Sequence, residues 1–262
     1  MDELKALFLG IVQGLTEFLP VSSSGHLVVA QNVLGVSNDG LAFEVTVHLA
    51  TLVSVLIYYR QRVAALSVGL LRRDPPTLVF VGKLTVATLP AVGLVLLAGD
   101  FIEAQFESPW VTGVGFLATG CVVWTTRWTV PRASLGNVGW GPAFAIGCAQ
   151  ALAILPGISR SGITVATALA FGIKPRAAAE FSFLMSVIAI AGAGVRSIPE
   201  LRALPPGSGA FFLLGGLAAL LSGVLAIGLF VRMLNGGALY RYAYYTWGLG
   251  LTFLAWLVLR GG

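Results

Sequence analysis

The sequence predicts an all-α integral membrane protein: six transmembrane helices, two re-entrant helical hairpins and an inverted-topology repeat. Three observations predict it. The chain of 262 residues is 57% hydrophobic and only 10% charged, whereas a soluble domain of this size carries about 25% charged residues; its mean hydropathy is +0.90. Six apolar stretches have the roughly 20-residue length that crosses a bilayer. Two further apolar stretches are broken by polar turns, and these two match each other.

Residues 4–34 form the first broken stretch, interrupted by PVSSSG. Each half is too short to cross, so it reads as a helix, a polar turn and a returning helix. Such a break is tolerated at membrane depth only where protein or a wet cavity surrounds the backbone. Spans follow at 42–59, 78–98 and 110–129. The second broken stretch, 140–172, carries PGISRSG, and spans follow it at 178–196, 210–232 and 242–260. A shift of 137 residues lays Gly10 on Gly147, Gln13 on Gln150, Leu15 on Leu152, Ser22 on Ser159, Ser24 on Ser161, Gly25 on Gly162 and Val28 on Val165. The chain therefore reads as one membrane domain, 1–262, of two repeats, about 1–136 and 137–262. Each repeat is a hairpin followed by three spans. Three is odd, so the second repeat enters from the opposite face, a design that puts its site near the midplane.

Loop charges agree with this topology. Arg60, Arg62, Arg72, Arg73, Arg127, Arg132, Lys174, Arg176, Arg232 and Arg241 fall on one side. Asp2, Glu3, Asp39, Asp100, Glu103, Glu107 and Glu200 fall on the other, with Lys5, Arg196, Arg202 and Arg260. The arginine side is the cytoplasmic one, which turns both termini outward. The net charge of +5 comes from these loops and points to membrane orientation, not to nucleic acid. MDELKALFLGIVQGLTEFLP does not read as a signal peptide, because Gln13 and Glu17 interrupt its apolar run. Cys121 and Cys148 read as free, buried thiols.

The polar groups of the two turns carry the chemistry. Gln13 and Glu17, four apart, share a helix face. Pro20 ends that helix. Ser22, Ser23 and Ser24 make a turn, Gly25 frees its backbone, and His26 falls in the first turn of the returning helix. The second hairpin delivers Ser159, Arg160, Ser161 and Thr164 in the same way. Both turns sit at helix N-termini, where free N–H groups and the positive dipole end favour anions. Arg160 adds a planar fork suited to phosphate oxygens, and hydroxyls can donate to the rest. A bound oxyanion thus answers the intramembrane charge of Arg160, with Glu17 as a second counter-charge. Histidine can attack phosphorus or shuttle a proton. A carboxylate can orient that histidine, act as a base or hold a divalent cation.

Other polar residues read more plainly. His48, mid-span in FEVTVHLATL, reads as structural, and Glu180 as an interfacial charge. Glu44 is open between interfacial charge, cavity cap and metal ligand. Some of Ser22 to Ser24 serve only as helix caps. FLLGGLAALLSGVLAIG reflects close helix packing. Trp110, Trp124, Trp128 and Trp247 read as interfacial anchors or packing.

QGLTEFLPVSSSGH and PGISRSGIT resemble the two signature motifs of the undecaprenyl-diphosphate phosphatases, the bacitracin-resistance family. The first motif is a glutamate or glutamine, three residues, then a glutamate, here Gln13 to Glu17. The second is met by Pro156, Gly157, Ser159, Arg160, Ser161 and Thr164. Many members carry glutamate where this chain has Gln13, which weakens an acid–base role at that position. The resemblance covers essentially the whole chain. It implies hydrolysis of undecaprenyl diphosphate to the monophosphate and inorganic phosphate, at a site facing the outer leaflet of the bacterial plasma membrane. It implies dependence on a divalent cation, Mg2+ or Ca2+, and a carboxylate's affinity for such a cation makes Glu17 the expected ligand. Glu17, His26 and Arg160 are then the central residues, and Gln13, Ser22, Ser23, Ser24, Ser159, Ser161 and Thr164 bind the substrate. His26 is either the nucleophile or the acid/base for an attacking water. The implied partners are the polyprenyl diphosphate and membrane lipids, with a homodimer left open. The alternative reading is a lipid-phosphate transporter or flippase that uses the same midplane groups.

Overall fold

The computed structural model describes residues 3–34, 41–196 and 209–260. Asp2, Asp39, Glu200 and Arg202 lie outside the described residues, as does the side chain of Arg196. The chain is helical throughout: α1 (Glu3–Phe18), α2 (Ser23–Leu34), α3 (Leu41–Tyr58), α4 (Arg60–Leu71), α5 (Pro75–Phe106), α6 (Pro109–Trp124), α7 (Thr126–Thr129), α8 (Trp140–Leu152), α9 (Arg160–Ala170), α10 (Pro175–Arg196), α11 (Gly209–Asn235) and α12 (Tyr242–Leu259). Among the described residues, strand-type pairing is limited to one parallel bridge, Leu135 with Ile173.

α5, α10, α11 and α12 are long and apolar enough to cross a membrane. α3 and α4 make a fifth crossing if taken as one span, although they bend by 83° at Tyr59. Leu213, Leu217, Leu221, Leu225 and Leu229 recur every fourth residue on α11, and all are exposed. That apolar stripe on the outside of a helix suits hydrocarbon, not water. This is the architecture of an all-α, multi-pass membrane protein.

Several elements differ from the sequence expectation. α6 stops at Trp124, where a span to 129 was expected. The Thr125 and Thr126 hydroxyls each donate to the carbonyl three residues back, both at 2.7 Å, and such back-bonding competes with the helix ladder. At 16 residues, α6 is only ~24 Å long. α5 runs past 98, through non-helical backbone at Ala98 (φ −138°). Asp100 and Glu103 therefore stand on a helix, not in a loop. Cys121 and Cys148 are free but exposed, not buried. A thiol is a small, weakly polar group that hydrocarbon tolerates on an outer face.

Glycine contacts place the two hairpins. α1 lies along α11, and α8 lies along α5. A Cβ on Gly10 would overlap the Gly215 carbonyl, and one on Gly147 would overlap the Ala87 carbonyl. Small residues here let backbones approach closely. At the far end of α1, Phe18 meets Phe183 of α10 edge-on at 5.6 Å, and Phe183 in turn meets Phe230 of α11 at 5.2 Å. This aromatic cluster anchors the turn of α1 that bears Glu17. Trp110 and Trp128 are exposed, whereas Trp124 and Trp247 pack together at 5.6 Å.

Candidate active site

The first turn runs from Leu19 to Ser22. Pro20 cannot continue a helix, and Ser22 takes a left-handed backbone (φ +67°). The Ser22 hydroxyl accepts the Gly25 N–H at 3.3 Å, capping α2. The second turn uses Gly157 for its left-handed residue (φ +86°). There the Ser159 hydroxyl accepts the Gly162 N–H at 3.2 Å, capping α9. The two turns touch. A Cβ on Gly25 would crowd the Gly157 Cα at 2.9 Å, and the Ser161 hydroxyl donates to the Leu19 carbonyl at 3.1 Å. Thr119 of α6 holds the second turn from behind, donating to the Gly157 carbonyl at 2.8 Å and accepting the Ser159 N–H at 2.9 Å.

Glu17 lies where the turns meet, and it is buried. One carboxylate oxygen takes a charge-assisted hydrogen bond from Arg160 Nη2. The other accepts the Ser23 hydroxyl at 2.7 Å and the Gln13 amide at 3.0 Å. His48 Nε2 stands 3.6 Å from that same oxygen. Arg160 Nη1 and Gln13 Oε1 are buried with no partner. Leaving a buried charged donor unpaired is costly, and a ligand oxygen would remove the cost.

Beside this network is a cavity of about 170 Å³ lined by Glu17, Ser22, Ser23, Ser24, Ser159 and Arg160, with Thr16, His48, Phe106, Ala153, Ile154 and Ile158. Drug-sized ligands need roughly 300–1,000 Å³, so this one suits a smaller, compact group. Glu17 is its only carboxylate among the described residues. No group of three or more His, Cys, Asp or Glu side chains clusters as a metal site among them. One carboxylate is nonetheless a donor set that a hard divalent cation can use where a ligand's oxygens and waters supply the rest.

The remaining expected residues lie elsewhere. The Thr164 hydroxyl donates to the Arg160 carbonyl and bonds the Ser182 hydroxyl, each at 2.7 Å, which docks α9 on α10. Ser161 ties the hairpins together and Gln13 backs Glu17; neither lines the cavity. His26 also lies outside it. Its Nδ1 is 2.7 Å from the Ser22 carbonyl, an acceptor only, so Nδ1 carries the proton. Nε2 therefore accepts from the Tyr245 hydroxyl at 2.7 Å, and the two rings stack.

Sequence reasoning took His48 as structural and passed over Phe106 and Thr119. An intramembrane histidine was a usable signal. Thr119 and Phe106 carried none, because only folding brings them to the turns. Glu44 offers its backbone carbonyl to His48 Nδ1 at 2.7 Å. Glu180 pairs with Arg62 at 2.7 Å, away from this cavity.

A model of the bacitracin resistance protein BacA family matches residues 6–252. An undecaprenyl-diphosphatase of Carboxydothermus hydrogenoformans is 41% identical over 97% of both chains. One of Alcanivorax borkumensis is 39% identical over 98% of this chain and all of its own. A third, of Rubrobacter xylanophilus, is 40% identical over 99% of this chain and all of its own. A match that runs almost end to end and takes in both turns places the chain in its family: it belongs to the bacitracin resistance protein BacA family.

Proposed function

We propose that this protein hydrolyses undecaprenyl diphosphate to undecaprenyl phosphate and inorganic phosphate, returning the lipid carrier to cell-wall synthesis. The observation that carries the reading is Arg160. One guanidinium nitrogen is fixed on Glu17 and the other is free to donate, beside four serines that line one cavity. The relatives' shared name supplies the substrate. A lipid-phosphate carrier would use the same groups, but the relatives bear a hydrolase's name and do not support that alternative.

In this reading the diphosphate lies against Arg160 Nη1, the Ser22, Ser23, Ser24 and Ser159 hydroxyls and the N-termini of α2 and α9. Glu17 stays anionic among its donors and orients Arg160 and Ser23. Glu17 would also hold a divalent cation together with the substrate's oxygens; when bound, the cation neutralises phosphate charge. Phosphoryl transfer asks mainly for such positioning and neutralisation. The Ser22 carbonyl fixes the His26 tautomer so that Nε2 is the basic nitrogen. Once Nε2 leaves Tyr245 for the terminal phosphate, it either bonds phosphorus as the lipid monophosphate leaves, water then breaking the N–P bond to free inorganic phosphate, or takes a proton from the water that attacks phosphorus directly. The cavity holds the headgroup alone, and the prenyl tail leaves along a lateral groove between spans.

The same reading keeps six spans, with α3 as the 42–59 span and α6 continued through α7 to Thr129 as the additional crossings. α2, α8 and α9, of 12, 13 and 11 residues, are too short to cross a core about 30 Å thick, and α1–α2 and α8–α9, each broken by its polar turn, act as re-entrant hairpins. The inverted repeat is supported by its equivalent positions. Gly10 and Gly147 each meet a long helix of the other half, and Ser22 and Ser159 each cap a returning helix. Phe106, at the Glu103–Glu107 end of α5, lines the cavity, which supports a site and termini on the outer side of the plasma membrane.

Phosphate release from undecaprenyl diphosphate in detergent tests the activity, because detergent abolishes the two compartments a carrier needs. Wild type should release phosphate, and Glu17→Ala, His26→Ala and Arg160→Ala should not. A folded wild type that releases none would overturn the proposal. Phosphohistidine trapped on wild type and absent from His26→Ala would select the covalent route.

A further inference from the structure

A second cavity, of about 660 Å³, opens at the other end of α5 from Phe106. Its charged lining is Arg62, Lys83, Lys174, Arg176 and Glu180. Glu180 is already taken by Arg62. Among the described residues, Lys83, Lys174 and Arg176 have no carboxylate partner.

Two of these cations stand against the local field. The Lys174 carbonyl accepts the Ala178 N–H at 2.9 Å, so Lys174 is the N-cap of α10, with Pro175 and Arg176 next. The N-terminus of a 22-residue helix carries positive partial charge and prefers acids. Here its first turn has no acid and two bases, and a lysine cap offers no oxygen to the free N–H groups of Arg176 and Ala177. α5 differs: Asp74 accepts the Thr77 N–H at 3.1 Å and caps that helix itself. A helix start lined with cations and lacking an acid is self-repelling alone and favourable around an anion.

We propose that this cavity binds a phosphate-bearing anion, either the headgroup of an anionic lipid or free inorganic phosphate, at a site separate from Glu17. The inference stands on the cavity's own residues and does not depend on the hydrolytic reading.

Native mass spectrometry of the detergent-purified chain tests it, with phosphatidylglycerol as probe, phosphatidylcholine as neutral control and inorganic phosphate as competitor. Wild type should bind phosphatidylglycerol in preference to phosphatidylcholine. Each base removed should weaken that binding about fivefold, so Lys174→Gln with Arg176→Gln should lose about 25-fold while Lys174→Arg holds. Displacement of the lipid by millimolar phosphate, or direct phosphate binding, assigns the site to free phosphate as well. Lipid binding that resists phosphate assigns it to the headgroup. Should the double variant misfold, Lys83→Gln provides the same comparison. Equal binding of the two lipids with no phosphate bound, or a folded double variant that binds like wild type, overturns the proposal.

Discussion

Arg160→Lys is the most discriminating substitution, because Arg160 has two tasks on two nitrogens. Nη2 holds Glu17, and Nη1 has no protein partner. Lysine presents one ammonium, which can serve the carboxylate or the substrate but not both in fixed geometry. A charge-assisted hydrogen bond is worth ~1.5–3 kcal/mol, so kcat/KM should fall about 10- to 100-fold. Stability should hold, since the Glu17 charge stays compensated. Arg160→Ala should behave differently: it strands a buried carboxylate, a loss of ~3–5 kcal/mol of stability, seen as a lower Tm. Phosphate release from undecaprenyl diphosphate in detergent, with thermal unfolding of the same samples, separates the two effects. Wild-type kcat/KM in Arg160→Lys would refute the division of labour between the two nitrogens.

Other outcomes follow from the same geometry. Tyr245→Phe should leave kcat within a few-fold of wild type or raise it, because Nε2 of His26 must leave that hydroxyl to react, whereas His26→Ala should lose ~10²–10⁴-fold. Gly10→Leu and Gly147→Leu should each cost ~1–3 kcal/mol as overpacked contacts, read as lower Tm in detergent. Chelation should abolish phosphate release and added Mg2+ or Ca2+ should restore it; full activity in chelator would remove the cation from the scheme. In a variant without Cys121 and Cys148, a cysteine placed at Arg73 should react with an impermeant thiol reagent only from the cytoplasmic side.

What the sequence disclosed and what it hid divide by range. The Gln13–Glu17 face, the serine caps and the polar turns were legible because spacings of three or four residues fix them locally. The Arg160–Glu17 pair was legible at a separation of 143 residues because an intramembrane charge demands a partner and few were available. The approach of His48 to Glu17 was not legible, because it depends on α3 packing beside α1. The Tyr245 contact joins residues 219 apart, and nothing in an aromatic-rich helix marks one hydroxyl. The 83° bend at Tyr59 falls at the expected end of the first span, where Arg60, Gln61 and Arg62 leave the apolar run; the early end of α6 was not legible, because Thr125 and Thr126 can continue a helix or back-bond to it.

Under the proposed repeat, the shift of 137 residues also relates the polar groups of the two turns. Positions 23 and 160 are equivalent, and Ser23 and Arg160 each bond one oxygen of the same Glu17 carboxylate. Glu17 itself is equivalent to Ile154, and both line the cavity. His26 is equivalent to Ile163. Gln13 donates to Glu17, while its equivalent Gln150 is buried with neither amide atom partnered, because isoleucine stands where its carboxylate would be. The duplicated features are helix caps and hydroxyls, which can cradle either phosphate of a diphosphate. The features that differ are the charges: acid and histidine on one hairpin, guanidinium on the other. The proposed reaction, which cleaves a diphosphate at one end, must tell its two phosphates apart, and two matched cradles with unmatched charges would do so.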